Sequence, residues 1–231
     1  RRKQIMGAII KKEFKTYFST PVGYVFIGLF LLAFSCFFWV EIFGVHETNF
    51  EYIFLSGASF LTFIVPLLTM RTFAEERKNG TEQILMTAPR SAVAIVLGKF
   101  LAALVVIAIT ELFTLIYFGI ICYFKTPDIP TVLVTMFGFL ITSMAYISLG
   151  MFISSLTENQ IIAAVSTIAI FVLAWLAPSI STKLTAISLI EKFYPFATGV
   201  FPITETISLI SITAMFVALT MVVIKRRKLV K

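Results

Sequence analysis

The sequence predicts an all-α polytopic membrane protein with six transmembrane helices, and three observations lead to this prediction. Hydrophobic residues make up 59% of the chain and charged residues only 13%, whereas a soluble domain has about 45–50% apolar and about 25% charged residues. The charges are grouped, and the stretches between them are apolar over about 20 residues, the length that a helix needs to cross a bilayer. These stretches are continuous rather than alternating, which favours helices over a transmembrane barrel.

The N-terminal segment, 1–21, is predicted to form an amphipathic helix in the membrane interface. Apolar residues recur at helical spacing, and lysines occupy the opposite face, where they would meet anionic headgroups. Pro21 then separates this helix from the first span. The apolar run that follows is long for a signal peptide and ends without a small-residue cleavage pattern, so we interpret it as a retained transmembrane helix. The apolar face contains Met6, Ile10, Phe14, Tyr17 and Phe18.

Six long runs with few or no charges are the predicted membrane spans. The third carries two charged residues well inside its ends, with Lys99 near its start and Glu111 in its middle. The predicted spans are 22–43, 52–73, 92–124, 131–156, 161–181 and 204–224.

The distribution of lysine and arginine predicts the orientation. Of the 19 basic residues, six precede the first span, five lie in or near the loop between the second and third spans, and five follow the sixth. The remaining three are Lys125, Lys183 and Lys192. Because basic residues favour the cytoplasmic side, both termini are predicted to be cytoplasmic. This asymmetry also explains the net charge of +7 without a nucleic-acid partner.

The segment 74–90 is the one sizeable predicted loop on the cytoplasmic side. Asn79 and Glu82 have the spacing of a helix capping box, a short apolar stretch around Leu85 follows, and Pro89 closes the segment. A short helix held below the membrane in this way would suit docking into a groove of a soluble partner. A solvated charged loop is an equally good interpretation of the spacing.

On the opposite side, the segment 182–203 is too interrupted by polar residues to cross a membrane. It is rich in apolar and aromatic residues, so it could enter the outer leaflet as a re-entrant or interfacial piece.

Several stretches resemble the ABC-2 family of ABC transporter permeases, and they are most similar to small bacterial subunits of the gliding-motility-associated type. The main pattern is FAEERKNGTEQILMTAP at 73–89, followed by IVLGKF at 95–100. The stretches IIKKEFKTYFSTPVGYVFIG at 9–28 and SSLTENQIIA at 154–163 resemble the same family.

The resemblance implies a function as the permease subunit of an ATP-binding cassette transporter in a bacterial inner membrane. ATP and Mg would bind to separate ATPase subunits, and a second permease subunit, identical or related, would complete the pathway; export is the implied direction. The segment 1–21 would be a connecting helix, 74–90 would hold the coupling helix, and 182–203 would be an outer re-entrant hairpin. The coupling role falls on Glu75, Glu76, Arg77, Gly80, Thr81, Glu82 and Leu85.

The chain itself is predicted to catalyse no bond chemistry and to bind no cofactor or metal. No G-x-x-x-x-G-K-[ST] phosphate-binding loop occurs, since Gly98 and Lys99 are followed by Phe100 and lack the upstream glycine. The two cysteines lie in separate apolar runs, and a single histidine, His46, cannot form a metal site.

Two residues within the predicted spans have open roles. Glu111 is the acidic residue deepest in an apolar run, where ionisable groups are costly. It either contacts a substrate or proton in the pathway, or it is a protonated carboxyl bonded to a neighbouring helix. Pro66 frees a helix carbonyl, so it forms either a hinge above the coupling loop or a packing kink.

Three rival functions stay open at this point. A membrane-embedded enzyme would need a cluster of catalytic side chains at membrane depth, which the sequence does not supply. A secondary transporter acting alone would transport without ATP and usually carries more intramembrane charges. An ATP-driven mechanical transmitter to an envelope partner would have the same sequence features as an exporter.

Overall fold

The computed structural model describes residues 2–44, 50–81, 91–124 and 128–230, and nearly all of them are helical. A π-helical turn (Val40–Gly44) follows the second helix, and a 3₁₀ helix (Thr182–Ile187) precedes the eighth. The α-helices of the described chain are α1 (Arg2–Ser19), α2 (Pro21–Trp39), α3 (Phe50–Thr69), α4 (Arg71–Lys78), α5 (Ala92–Phe124), α6 (Ile129–Leu156), α7 (Gln160–Ile180), α8 (Leu189–Ala197) and α9 (Ile203–Val230).

Six stretches within the described residues are long and apolar enough to cross a membrane. The second of them joins α3 and α4, which are separated only by Met70. The prediction of an all-α polytopic membrane protein with six spans is confirmed. The stretches are Pro21–Ile42, Phe50–Lys78, Ala92–Tyr123, Ile129–Leu156, Gln160–Ile180 and Ile203–Arg227.

The three middle spans form the centre of the bundle. Half or more of their most apolar stretch is buried, whereas less than a third is buried in the first, fifth and sixth. Phenylalanines fill the centre, because Phe139 of α6 packs against Phe30 of α2 and Phe54 of α3 with ring centroids 5.8 and 5.3 Å apart. Both pairs have the edge-to-face geometry that aromatic rings prefer.

Two glycines of α6 allow other elements to approach it closely. A Cβ at Gly138 would lie 2.3 Å from Cγ of Phe196 in α8, and a Cβ at Gly150 would lie 2.3 Å from Oγ1 of Thr69 in α3. Both distances are too short for any side chain. Glycine at these positions therefore sets how tightly α8 and α3 pack against α6.

Helices α6 and α9 run in the same direction. Phe137 packs against Phe201, where α9 is about to start, with ring centroids 5.8 Å apart. Fifteen residues further along both segments, Phe152 packs against Phe216 at 5.6 Å. The C-terminal ends of α6 and α9 therefore lie at the same end of the bundle, together with α4 and the start of α5. This end is called the basic end below.

Helix α8 lies at the opposite end and belongs to the predicted segment 182–203. Leu189, Phe193 and Phe196 are buried against α6 and α3. Thr135 of α6 donates a hydrogen bond to the carbonyl of Phe196 at 3.0 Å. The segment is thus a short helix whose apolar side is packed into the bundle, and its proposed position in the outer leaflet stays a prediction.

Candidate functional site

The junction between α3 and α4 is held by a serine from α6. The Ser154 hydroxyl donates to the carbonyl of Met70 at 3.0 Å and accepts from the backbone N–H groups of Phe73 and Ala74 at 3.2 and 3.3 Å. The first N–H groups of a helix have no partner within it, and a hydroxyl offers one donor and two acceptor sites. Buried Ser154 therefore satisfies the backbone at the start of α4 and fastens it to α6.

A buried lysine connects its own helix to two other elements at the basic end. Lys99 Nζ of α5 lies 2.7 Å from Glu76 Oε1 of α4 and 3.1 Å from Glu13 Oε2 of α1. The Lys99 side chain is only 3% exposed and lies over the ring of Phe73, with Nζ 5.4 Å from the centroid. One ammonium thus ties α1 and α4 to α5.

The intact cluster is expected to add little net stability, but the loss of any one of its charges would be costly. Desolvating an ion pair costs about as much as the attraction returns, but removal of one partner leaves a buried charge and costs about 3–5 kcal/mol. Glu76 Oε2 is also buried, with no hydrogen-bond partner among the described atoms. The cluster therefore depends on the close approach of α1, α4 and α5, and a relative shift of these helices would weaken it.

Tyr17 of α1 is packed beside this cluster. It is buried, and burial raises the pKa of its hydroxyl above the ordinary value, with a smaller contribution from the negative charge of Glu13. The phenol therefore stays protonated at neutral pH and adds no charge to the cluster.

Two further ion pairs surround the lysine cluster. Arg71 and Glu75 form a two-pronged pair one helical turn apart on α4, with Nε to Oε2 at 2.7 Å. Arg77 of α4 pairs with Glu158, which lies in the turn between α6 and α7. Glu13, Arg71, Glu75, Glu76 and Lys99 also line a cleft of about 190 Å³. Four of the five charged residues of α4, namely Arg71, Glu75, Glu76 and Arg77, are thus paired within the chain.

A glycine follows the C-terminal end of α4 by two residues. Gly80 has a φ of +68°, a left-handed conformation that favours glycine. Its N–H donates to the carbonyl of Arg77 at 3.1 Å, and the N–H of Asn79 donates to that of Glu75 at 3.0 Å. The Thr81 hydroxyl donates to the carbonyl of Glu76 at 3.3 Å. These bonds fix the direction in which the chain leaves α4.

Five of the seven residues to which a coupling role was assigned lie on α4 or immediately after it, namely Glu75, Glu76, Arg77, Gly80 and Thr81. Asn79, which the capping-box pattern singled out, also lies at the C-terminal end of α4. Glu82 and Leu85 lie outside the described residues, and so does His46.

Sequence reasoning missed the residues that hold α4 in place, which are Lys99, Glu13, Ser154 and Glu158. A signal existed for two of them. Lys99 is a charge just inside an apolar run, and Glu13 is an acidic residue in a basic segment; a buried charge requires a partner of opposite sign. Nothing in the sequence distinguished Ser154 or Glu158.

Neither of the two open residues within the spans belongs to the ion-pair cluster at the basic end. Glu111 is 2% exposed, and neither carboxylate oxygen has a hydrogen-bond partner among the described atoms. The Thr114 hydroxyl, about one turn further along the helix, donates instead to the backbone carbonyl of Glu111 at 2.6 Å. Pro66 is buried inside α3, whereas the interruption of the helix is at Met70.

The architecture and this site agree with what comparison of the sequence with known proteins finds. No curated protein matches the chain. The model of one protein family, described as ABC-2 family transporter protein, matches residues 45–224. The matched region includes α3 to α8 and most of α9, and thus Glu76, Lys99 and Ser154. The chain therefore belongs to the ABC-2 family of transporter proteins and is an ABC transporter permease subunit.

Proposed function

We propose that this permease couples ATP hydrolysis by separate ATPase subunits to the export of a substrate across a bacterial inner membrane. In this proposal both termini and the basic end face the cytoplasm, and ATP and Mg bind only to the ATPase. Two copies of the chain, or one copy and a related subunit, enclose the pathway. The observation that carries the proposal is the anchoring of α4 to three other elements by Lys99 and Ser154.

A coupling element must transmit motion from the ATPase to the membrane spans without itself unfolding. The segment after α4, which includes Glu82 and Leu85, is the proposed contact with the ATPase, and α4 is the lever behind it. Force on α4 would pass to α5 and α1 through the ion pairs that Glu76 and Glu13 form with Lys99. It would pass to α6 through the hydrogen bonds of Ser154. Because α5 and α6 are central spans, motion at the basic end would reach the middle of the bundle.

The internal pairing changes the proposed roles of two residues. Glu75 pairs with Arg71, and Glu76 pairs with Lys99. We therefore propose that these two carboxylates transmit force within the chain rather than touch the ATPase.

The test of this function is affinity purification of the chain from native membranes in mild detergent, followed by mass spectrometry and an ATPase assay. The expected result is a stoichiometric protein with a phosphate-binding loop. Leu85→Asp should release that protein, whereas Val200→Asp, an exposed position at the opposite end, should retain it.

If the wild-type chain brings down no ATPase in several detergents, the proposed function is wrong. Retention of the ATPase and of full coupled activity by Leu85→Asp would instead contradict only the docking role of the segment after α4.

A further inference from the structure

An apolar pocket of about 560 Å³, called the apolar part below, lies opposite the basic end. This volume lies within the range of about 300–1,000 Å³ that is typical of ligand sites. Its walls come from α6, α7, α9, the 3₁₀ helix and the start of α8, and none of the described residues that line it is charged. The lining includes Ile170, Ala174, Ala177, Leu189, Ile212 and Phe216.

A separate polar pocket of about 450 Å³, called the polar part, lies beside it. The two pockets share one lining residue, Ala186 of the 3₁₀ helix, so they are neighbours, and together they are called the cavity below. The polar lining consists of side chains with hydroxyl, ammonium and carboxylate groups, which are Thr185, Glu191, Lys192, Thr204, Glu205 and Ser208.

The two parts lie at different depths along α9. Glu205 and Ser208, in its first two turns, line the polar part, and Ile212 and Phe216 line the apolar part. At 1.5 Å per residue, Phe216 lies about 12 Å further into the bundle than Ser208. The cavity is therefore polar at the edge of the span and apolar within it.

The polar part offers charges of both signs. Lys192 is 8% exposed, and its Nζ lies 3.4 Å from Glu205 Oε2. This distance is longer than the roughly 2.7–2.9 Å of a close charged hydrogen bond. Glu191 lies exposed beside it on α8. A buried ammonium next to carboxylates suits a ligand that itself carries an anionic and a cationic group.

The apolar part opens sideways. Ile170 and Leu173 of its lining are 42% and 66% exposed on the outer surface of α7. In a membrane this surface meets hydrocarbon chains, so a lipid can enter from the bilayer.

From these observations we propose that the cavity binds one phospholipid with a zwitterionic headgroup of the phosphoethanolamine kind. The phosphate accepts hydrogen bonds from Lys192 and the nearby hydroxyls, the ammonium contacts Glu205 and Glu191, and one acyl chain fills the apolar part. Binding is a property of this chain alone and does not depend on the proposed ATPase partner.

The experiment measures lipid retained by the purified chain, without any ATPase. The chain is reconstituted in bilayers of equal parts phosphatidylethanolamine and phosphatidylglycerol, transferred to detergent, washed, and examined by native mass spectrometry. We expect one retained phosphatidylethanolamine per chain.

Ala174→Phe, which fills the apolar part, should lower the retained lipid about tenfold, as expected when about two methylene groups lose their buried site. Ala169→Phe is the matched control, since Ala169 is exposed on the same helix outside the cavity, and it should behave as wild type. Ala186→Phe, at the exposed junction of the two parts, is the second test if Ala174→Phe does not fold.

Glu205→Gln should reduce the preference for phosphatidylethanolamine over phosphatidylglycerol. Glu51→Gln, a carboxylate on α3 outside the cavity lining, should leave the preference unchanged. Equal retention of both lipids by the wild-type chain, or unchanged retention in both phenylalanine variants, would overturn the proposal and indicate ordinary boundary lipid.

Discussion

The ammonium of Lys99 lies 2.7 Å from the carboxylate of Glu76, although the two residues belong to different membrane spans. With Glu13 as the second partner, this contact joins α1, α4 and α5 at one point.

Lys99→Met should lower the unfolding temperature of the purified chain markedly. The substitution keeps most of the side-chain volume but removes the counter-charge of Glu76 and leaves Glu13 with the exposed Lys12 at 3.7 Å. Removing one partner of a buried ion pair costs about 3–5 kcal/mol. The triple variant Lys99→Met, Glu13→Gln, Glu76→Gln should recover part of the loss, because no buried charge then remains. Lys183→Met, an exposed lysine at the opposite end, is the control; equal effects at both lysines would contradict the cluster.

Ser154→Ala should loosen the start of α4 without unfolding the bundle. It removes three hydrogen bonds to backbone groups, and leaving buried polar groups unpaired costs about 1–3 kcal/mol each. Hydrogen exchange should accelerate at the amides of Phe73 and Ala74. Ser155→Ala is a close control, because the Ser155 hydroxyl donates to the carbonyl of Phe152 on its own helix. Unchanged exchange in Ser154→Ala would show that α4 is held by other contacts.

Gly138→Ala should destabilise the packing of α8. The new methyl group would have to displace Phe196, whose Cγ lies 2.3 Å from its ideal position, and overpacking of this kind costs about 1–3 kcal/mol. Thermal unfolding measures the effect. Gly119→Ala on α5 meets nothing within 4 Å and should be neutral or slightly stabilising. Similar unfolding temperatures for the two variants would contradict the close approach of α8.

Glu111→Gln should preserve both assembly and coupled ATPase activity. An uncharged amide has nearly the shape of a protonated carboxyl, so the change matters little if Glu111 is buried as a neutral group. Glu111→Lys, which forces a charge into the same place, should abolish assembly. Loss of transport or coupling in a correctly assembled Glu111→Gln complex would show that the carboxyl takes part in the pathway.

Deprotonation of the Tyr17 hydroxyl should contribute to the loss of folding stability in strong alkali. Its folded-state pKa is raised by burial, so its contribution to stability is fully present below about pH 10, the ordinary value, and is lost as the pH rises towards the folded-state pKa. Tyr17→Phe should flatten the stability profile above about pH 10. Tyr24→Phe, at an exposed tyrosine, should leave the profile unchanged.

Apolar run length and the position of charges were enough to predict the six spans and the helix before them. The partners of Lys99 could not be predicted, because Glu13 and Glu76 lie 86 and 23 residues away in sequence and local periodicity does not relate separate helices. Ser154 gave no signal, since a serine in an apolar helix usually bonds to its own backbone. The docking of α8 depends on Gly138, whose role is visible only when Phe196 is placed beside it.

The order of the charged residues along the chain has a consequence for biogenesis. A ribosome completes Glu13 and then Glu76 before it adds Lys99, so both carboxylates already exist when the third span leaves the translocon. A lysine this close to the hydrocarbon is costly to insert alone. Here both of its counter-charges precede it in the chain, so the third span does not have to insert an unpaired ammonium.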